Sequence, residues 1–91
     1  MWVANNDKER VKSYLKNDIE SNITNLCDVN NRIHDAISAI NIATAGSLSG
    51  ADRQMIEGCQ KAIKEVSDCL QSLYACRNYL NQLETREWVD D

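Results

Sequence analysis

The sequence predicts an all-α fold: a long antiparallel two-helix hairpin that packs with partner helices into a bundle. Three observations predict it. Apolar residues recur at alternating steps of four and three through both halves of the chain, which is the period of a helix and not of a strand. A single break near mid-chain holds two of the three glycines. Proline is absent, so nothing interrupts either periodic stretch.

The first helix is expected from about residue 6 to 45. Its seam is Ile19, Ile23, Leu26, Asn30, Ile33, Ile37, Ile40 and Thr44. Asn6 followed three residues later by Glu9 gives a capping-box-like start, in which the amide oxygen and the carboxylate satisfy early backbone N–H groups. Gly46 can take the left-handed conformation just past the helix end. The turn is expected at 46–49, followed by a second helix from about 50 to 88, with Ser49 and Asp52 as a second, looser cap. Its seam reads Met55, Cys59, Ala62, Val66, Cys69, Leu73, Cys76, Leu80 and Leu83 without a break. Each arm is about 39 residues, or about 58 Å long, and so short a connection makes the arms antiparallel. The 91 residues form one domain, 1–91.

Facing residues should then sum to about 95. Ile40 meets Met55, Ile33 meets Ala62, Leu26 meets Cys69, Ile19 meets Cys76 and Leu15 meets Leu80. Asn30 falls opposite Val66, a polar seam residue of the kind that fixes register at some cost in stability. Beside the seam run further apolar rows: Leu15, Val29 and Ala36 on the first helix, and Ile56, Ile63 and Leu70 on the second. In this register the two rows lie on opposite flanks. Burying an Ile or Leu side chain is worth roughly 1.5–3 kcal/mol, so these six residues are the expected partner-binding positions.

Charge and chemistry narrow the function. Ten basic against fourteen acidic residues leave a net charge of −4, which argues against nucleic acid or an anionic membrane surface as partner. No apolar run approaches the roughly 20 residues of a membrane span, and the first residues lack the basic-then-apolar order of a secretory signal. A cytoplasmic place of synthesis follows as the expectation. His34 is the only histidine; it lies about 10 Å along the axis from Cys27, too far for a nucleophile–base pair. Cys27, Cys59, Cys69 and Cys76 are spread over separate turns and include no CxxC, so they do not form a zinc site. They read as small buried hydrophobes, a Cys27–Cys69 bridge being the one covalent alternative. No catalytic residues, cofactor or metal are expected, and the chain reads as a non-enzymatic binding protein.

The turn reads Leu48-Ser49-Gly50-Ala51-Asp52. An acidic helical hairpin of about this length resembles the small Trp-X-Gly proteins of type VII secretion. Its Leu-X-Gly turn is similar to the tripeptide that names the LXG domains of toxins exported by the same machinery. The resemblance covers roughly residues 15 to 85 and is closest to the small helical proteins that associate with LXG toxins. It implies a targeting factor or chaperone that binds a helical LXG-type toxin domain, with a second small helical protein as a further partner and export of the complex as the outcome. Family members often carry a C-terminal Tyr-x-x-x-Asp/Glu signal. Tyr79 has Leu83 four residues on and so lacks it, and Tyr14 to Asp18 fits the letters at the wrong end. Trp88, Asp90 and Asp91, past the last seam residue, stand as the candidate export signal. The competing classes are a structural homo-oligomer, two hairpins forming a four-helix bundle, and an immunity or antitoxin protein.

Overall fold

The computed structural model describes residues 1–90. Helix α1 spans Asn6–Thr44 and helix α2 spans Gly50–Gln82, and they pack antiparallel in a rod of 76 × 15 × 13 Å. Two short strands, β1 (Trp2–Ala4) and β2 (Arg86–Trp88), pair antiparallel and tie the two ends of the chain together.

Each helix end has an identifiable cause. The N-cap of α1 is Asn5, not Asn6: its Oδ1 accepts from Lys8 N at 3.0 Å. Glu9 does not complete a box, because its carboxylate accepts from Thr85 Oγ1 instead. At the other end, Ala45 and Gly46 both adopt the left-handed conformation, with φ of 48° and 80°. Their N–H groups return to Ile42 O and Asn41 O and close the last turn. The Ser49–Asp52 capping box on α2 forms completely, and it holds the Asp52 carboxyl below its ordinary pKa, first through the Ser49 backbone N–H and then through the Ser49 hydroxyl.

α2 stops at Gln82, six residues before the expected 88. No glycine or proline marks the place. Lys12 of α1 reaches across and donates from Nζ to Asn81 O and Leu83 O at 3.4 and 3.0 Å, satisfying carbonyls that a longer helix would have used internally. Beyond Leu83 the chain folds back. Thr85 is buried, and its carbonyl accepts from Asn5 N at 3.2 Å.

The seam of α1 lies as expected, with Ile23 buried and Ile19, Leu26, Asn30, Ile33, Ile37, Ile40 and Thr44 half-buried. The seam of α2 does not. Ile56, Cys59, Ile63, Val66, Leu70, Leu73, Arg77 and Leu80 face inward, with Leu70 and Leu80 buried, while Met55, Cys69 and Cys76 are exposed. The helix is rotated by one residue from the expected setting, so that Ile40–Met55, Leu26–Cys69 and Ile19–Cys76 are not facing pairs. The reason is apolar area. The rotation places two isoleucines and a leucine in the seam instead of a methionine, an alanine and two cysteines, and larger side chains gain more by leaving water. Arg77 makes this possible in a row that otherwise reads as apolar. Its guanidinium reaches Glu20 at 3.4 Å and stacks 5.0 Å from the Tyr74 ring, so its stem covers the seam while its charge stays at the edge.

Candidate functional site: an apolar face on one side of the hairpin

Heptad positions describe the surface this setting creates. In α1, Ile23, Asn30, Ile37 and Thr44 occupy a, and Ile19, Leu26, Ile33 and Ile40 occupy d; in α2, Ile56, Ile63, Leu70 and Arg77 occupy a, and Cys59, Val66, Leu73 and Leu80 occupy d. In an antiparallel pair the g rows of both helices lie on one side and the e rows on the other. Beyond Lys8 in the first turns, the g row of α1 is Leu15, Asn22, Val29, Ala36 and Ala43. That of α2 is Met55, Ala62, Cys69, Cys76 and Leu83. None of these ten residues is charged.

Two observations fix the sides. A groove of about 380 Å³ is lined by Leu15, Ile19, Cys76, Tyr79, Leu80 and Leu83, all at d, g or c positions of the two helices. The Glu20–Arg77 ion pair and the Tyr74 ring lie at a and e positions, on the other side. The hairpin therefore has an apolar face and a polar face. On the apolar face Leu15, Val29, Met55 and Leu83 are 40%, 42%, 56% and 46% exposed.

The sequence-predicted partner positions divide accordingly. Leu15 and Val29 are exposed on the apolar face, and Ala36 is half-buried beside them. Ile56, Ile63 and Leu70 are not a free flank: Ile56 and Ile63 are half-buried and Leu70 is buried, in the seam against α1. The two apolar rows consequently share one side of the molecule, where the sequence register had placed them on opposite flanks. The face's α2 half is the Met55-to-Leu83 row, which the sequence register sets in the seam. Its signal was present in the sequence as an apolar row at sevens, adjacent to a bulkier one.

In the turn, Leu48 is half-buried, Ser49 caps α2, and Gly50 is the first residue of α2. A methyl group added at Gly50 would meet nothing within 4 Å, so neither a close approach nor a positive φ requires glycine there. All four cysteines are free. Cys27 is at an e position and Cys69 at a g position, on opposite sides of the hairpin, which removes the Cys27–Cys69 bridge. Cys27 and Cys59 are half-buried, whereas Cys69 and Cys76 are exposed and are not core residues. His34 is exposed in the e row. Among the described residues no three His, Cys, Asp or Glu side chains converge as a metal site. Asn30 Oδ1 is buried in the seam without a hydrogen-bond partner, a cost of about 1–3 kcal/mol.

The C-terminal segment is built into the structure. Trp88 pairs with Trp2, its indole Nε1 donates to Asp90 Oδ1 at 3.0 Å, and Val89 exchanges backbone hydrogen bonds with Met1. Of the candidate export signal, Trp88 and Asp90 thus belong to this terminal clasp, and Asp91 lies outside the described residues. Arg86 is paired with Glu84 at 2.9 Å and stacks 5.0 Å from the Trp2 ring. The Arg86 side chain, then its backbone N–H, pulls the Glu84 carboxyl down to about 2.

Fold and site together define an antiparallel helical hairpin, closed by a two-stranded terminal ribbon, with one apolar face. No family model, curated protein or solved structure matches the chain. Among the described residues no helix is long and apolar enough to cross a membrane.

Proposed function

We propose that this chain is a non-enzymatic binding module that holds a helical LXG-type toxin domain on its apolar face and presents it for type VII secretion. One observation carries the binding role: from Leu15 to Leu83 an uncharged face runs along a hairpin that no third helix covers among the described residues. The accessible area is 6814 Å², against roughly 5400 Å² for a compact monomer of this size. The excess is more than the roughly 800 Å² that one partner buries in a standard protein interface. An amphipathic helix or helix pair is the natural complement, because its apolar stripe has the same length and period as the face.

The choice of partner class rests on the Leu48-Ser49-Gly50 turn at the middle of a hairpin of this length, and on its resemblance to the LXG group. The terminal clasp supports a presentation role for the opposite end, since both chain termini converge there with Trp2 and Trp88 half-exposed. The test is co-purification of the tagged full chain with the LXG toxin region encoded beside its gene. A stoichiometric complex that is lost on Cys69→Asp supports the reading. No complex, or no such gene beside this one, overturns the toxin assignment.

A further inference from the structure

We infer that the apolar face is covered by a second copy of this chain when no other partner is present, as a two-fold dimer with both turns at the same end. This rests on the reading of that face as the binding surface, but not on the identity of the toxin. The Glu20–Arg77 pair sets the level at which the two helices face each other, with residue numbers summing to 97. The c rows form the outer rims of the apolar face. At that same level, Asp18 is matched with Tyr79, Asn25 with Ser72, Arg32 with Glu65 and Ala39 with Gly58.

A two-fold axis along the rod lays α1 of one copy on α2 of the other without shifting the level. Each rim residue then faces its matched residue in the second copy. Arg32 meets Glu65 twice, a tyrosine hydroxyl meets a carboxylate twice, and the small residues Ala39 and Gly58 meet each other. No like charges oppose anywhere along the rims. Between the rims the uncharged g rows pack together. The intrahelical Arg32–Asp28 contact, 3.0 Å long, has side chains 78% and 60% exposed, so it competes weakly for the guanidinium.

The size is sufficient. From Leu15 to Ala43 the face runs about 42 Å, and the rod is 15 Å broad. Side-chain relief on that footprint brings the buried area near the roughly 800 Å² per partner of a standard interface. The apolar face would thus be occupied by self or by a foreign helical domain, one excluding the other.

The experiment is light scattering on the purified full chain at micromolar concentration, with two charge reversals. The wild-type chain should have twice the chain mass. Arg32→Glu alone and Glu65→Arg alone should each weaken the dimer about tenfold or more, by opposing like charges twice. An equimolar mixture of the two variants should restore it, because each variant supplies what the other lacks across the axis. A wild-type monomer at all concentrations overturns the inference, while leaving the toxin-binding reading to its own co-purification test. A dimer in which the mixture shows no rescue overturns the proposed arrangement and with it this inference.

Discussion

Trp2 and Trp88, 86 positions apart in sequence, stand edge to face with ring centroids 5.7 Å apart and planes inclined by 78°. Met1 and Val89 beside them exchange backbone hydrogen bonds, so the tryptophans occupy the neighbouring site without such bonds, where strands approach most closely. This geometry favours aromatic cross-strand pairs.

Removing residues 86–91 is expected to cost more than an unstructured tail would. The truncation loses the indole pair, worth about 0.5–1.5 kcal/mol beyond its area, together with the ribbon's backbone bonds. Thermal denaturation should show a lower Tm, and the coupled indole circular dichroism should vanish, while α1 and α2 remain helical. An unchanged Tm would mean that the clasp is ornamental.

The interhelical turn gives a test in the stabilising direction. Ala45 holds a left-handed φ of 48°, and glycine reaches that region without the penalty that a Cβ carries. Ala45→Gly should therefore stabilise by about 0.5–1 kcal/mol, and Gly46→Ala should destabilise by about 1 kcal/mol. Gly50→Ala should be neutral or slightly stabilising, since the added methyl meets nothing and alanine favours a helix. Denaturant midpoints of the three variants check this directly. Severe loss with Gly50→Ala would show that glycine is structurally required there.

Neighbouring residues on α2 should separate folding from binding. Leu70 is buried and Cys69 is exposed. Leu70→Asp places a carboxylate in the seam without a partner and should unfold the hairpin, at a cost of several kcal/mol. Cys69→Asp should leave the hairpin folded and helical while abolishing association. Circular dichroism and light scattering on both variants distinguish the two roles, and loss of fold in Cys69→Asp would contradict the separation.

Acid should open the clasp before the hairpin. Glu84 is held near 2 in the folded chain by Arg86, below its ordinary 4.5. A lowered folded pKa means stability that is present above the unfolded value and lost as pH falls toward the folded one. The indole signal of Trp2 and Trp88 should therefore weaken between about pH 4.5 and 2, and Glu84→Gln should remove that dependence. A signal that is flat across this window in the wild-type chain would show that Glu84 does not brace the ribbon.

The hairpin, its antiparallel sense and the α1 seam were legible because long apolar periodicity survives any local ambiguity. The rotation of α2 was not. Two adjacent rows, Met55-Ala62-Cys69-Cys76-Leu83 and Ile56-Ile63-Leu70-Arg77, both complete the pattern with the shared Cys59, Val66, Leu73 and Leu80. Continuity favoured the first, while bulk favoured the second, and Arg77 disguised it. The ribbon was illegible for a different reason. Three-residue strands carry no alternation to read, and their stability comes from a pairing between opposite ends of the chain. Without the ribbon, the acidic tail reads as a free extension. The polar cross-contacts that end α2 early, Lys12 to Asn81 and Leu83, are likewise long-range and leave no local trace.

The rotational setting of α2 underlies both the apolar face and the dimer, and thiol labelling reads it most directly. The Arg32→Glu chain in dilute native buffer keeps self-association out of the measurement. Cys69 and Cys76 are exposed, while Cys59 is half-buried in the seam. The expected order, followed by mass spectrometry with an alkylating reagent, is rapid modification of Cys69 and Cys76 and slow modification of Cys59. Protection of Cys69 and Cys76 equal to or greater than that of Cys59 would place the Met55 row back in the seam and contradict the face.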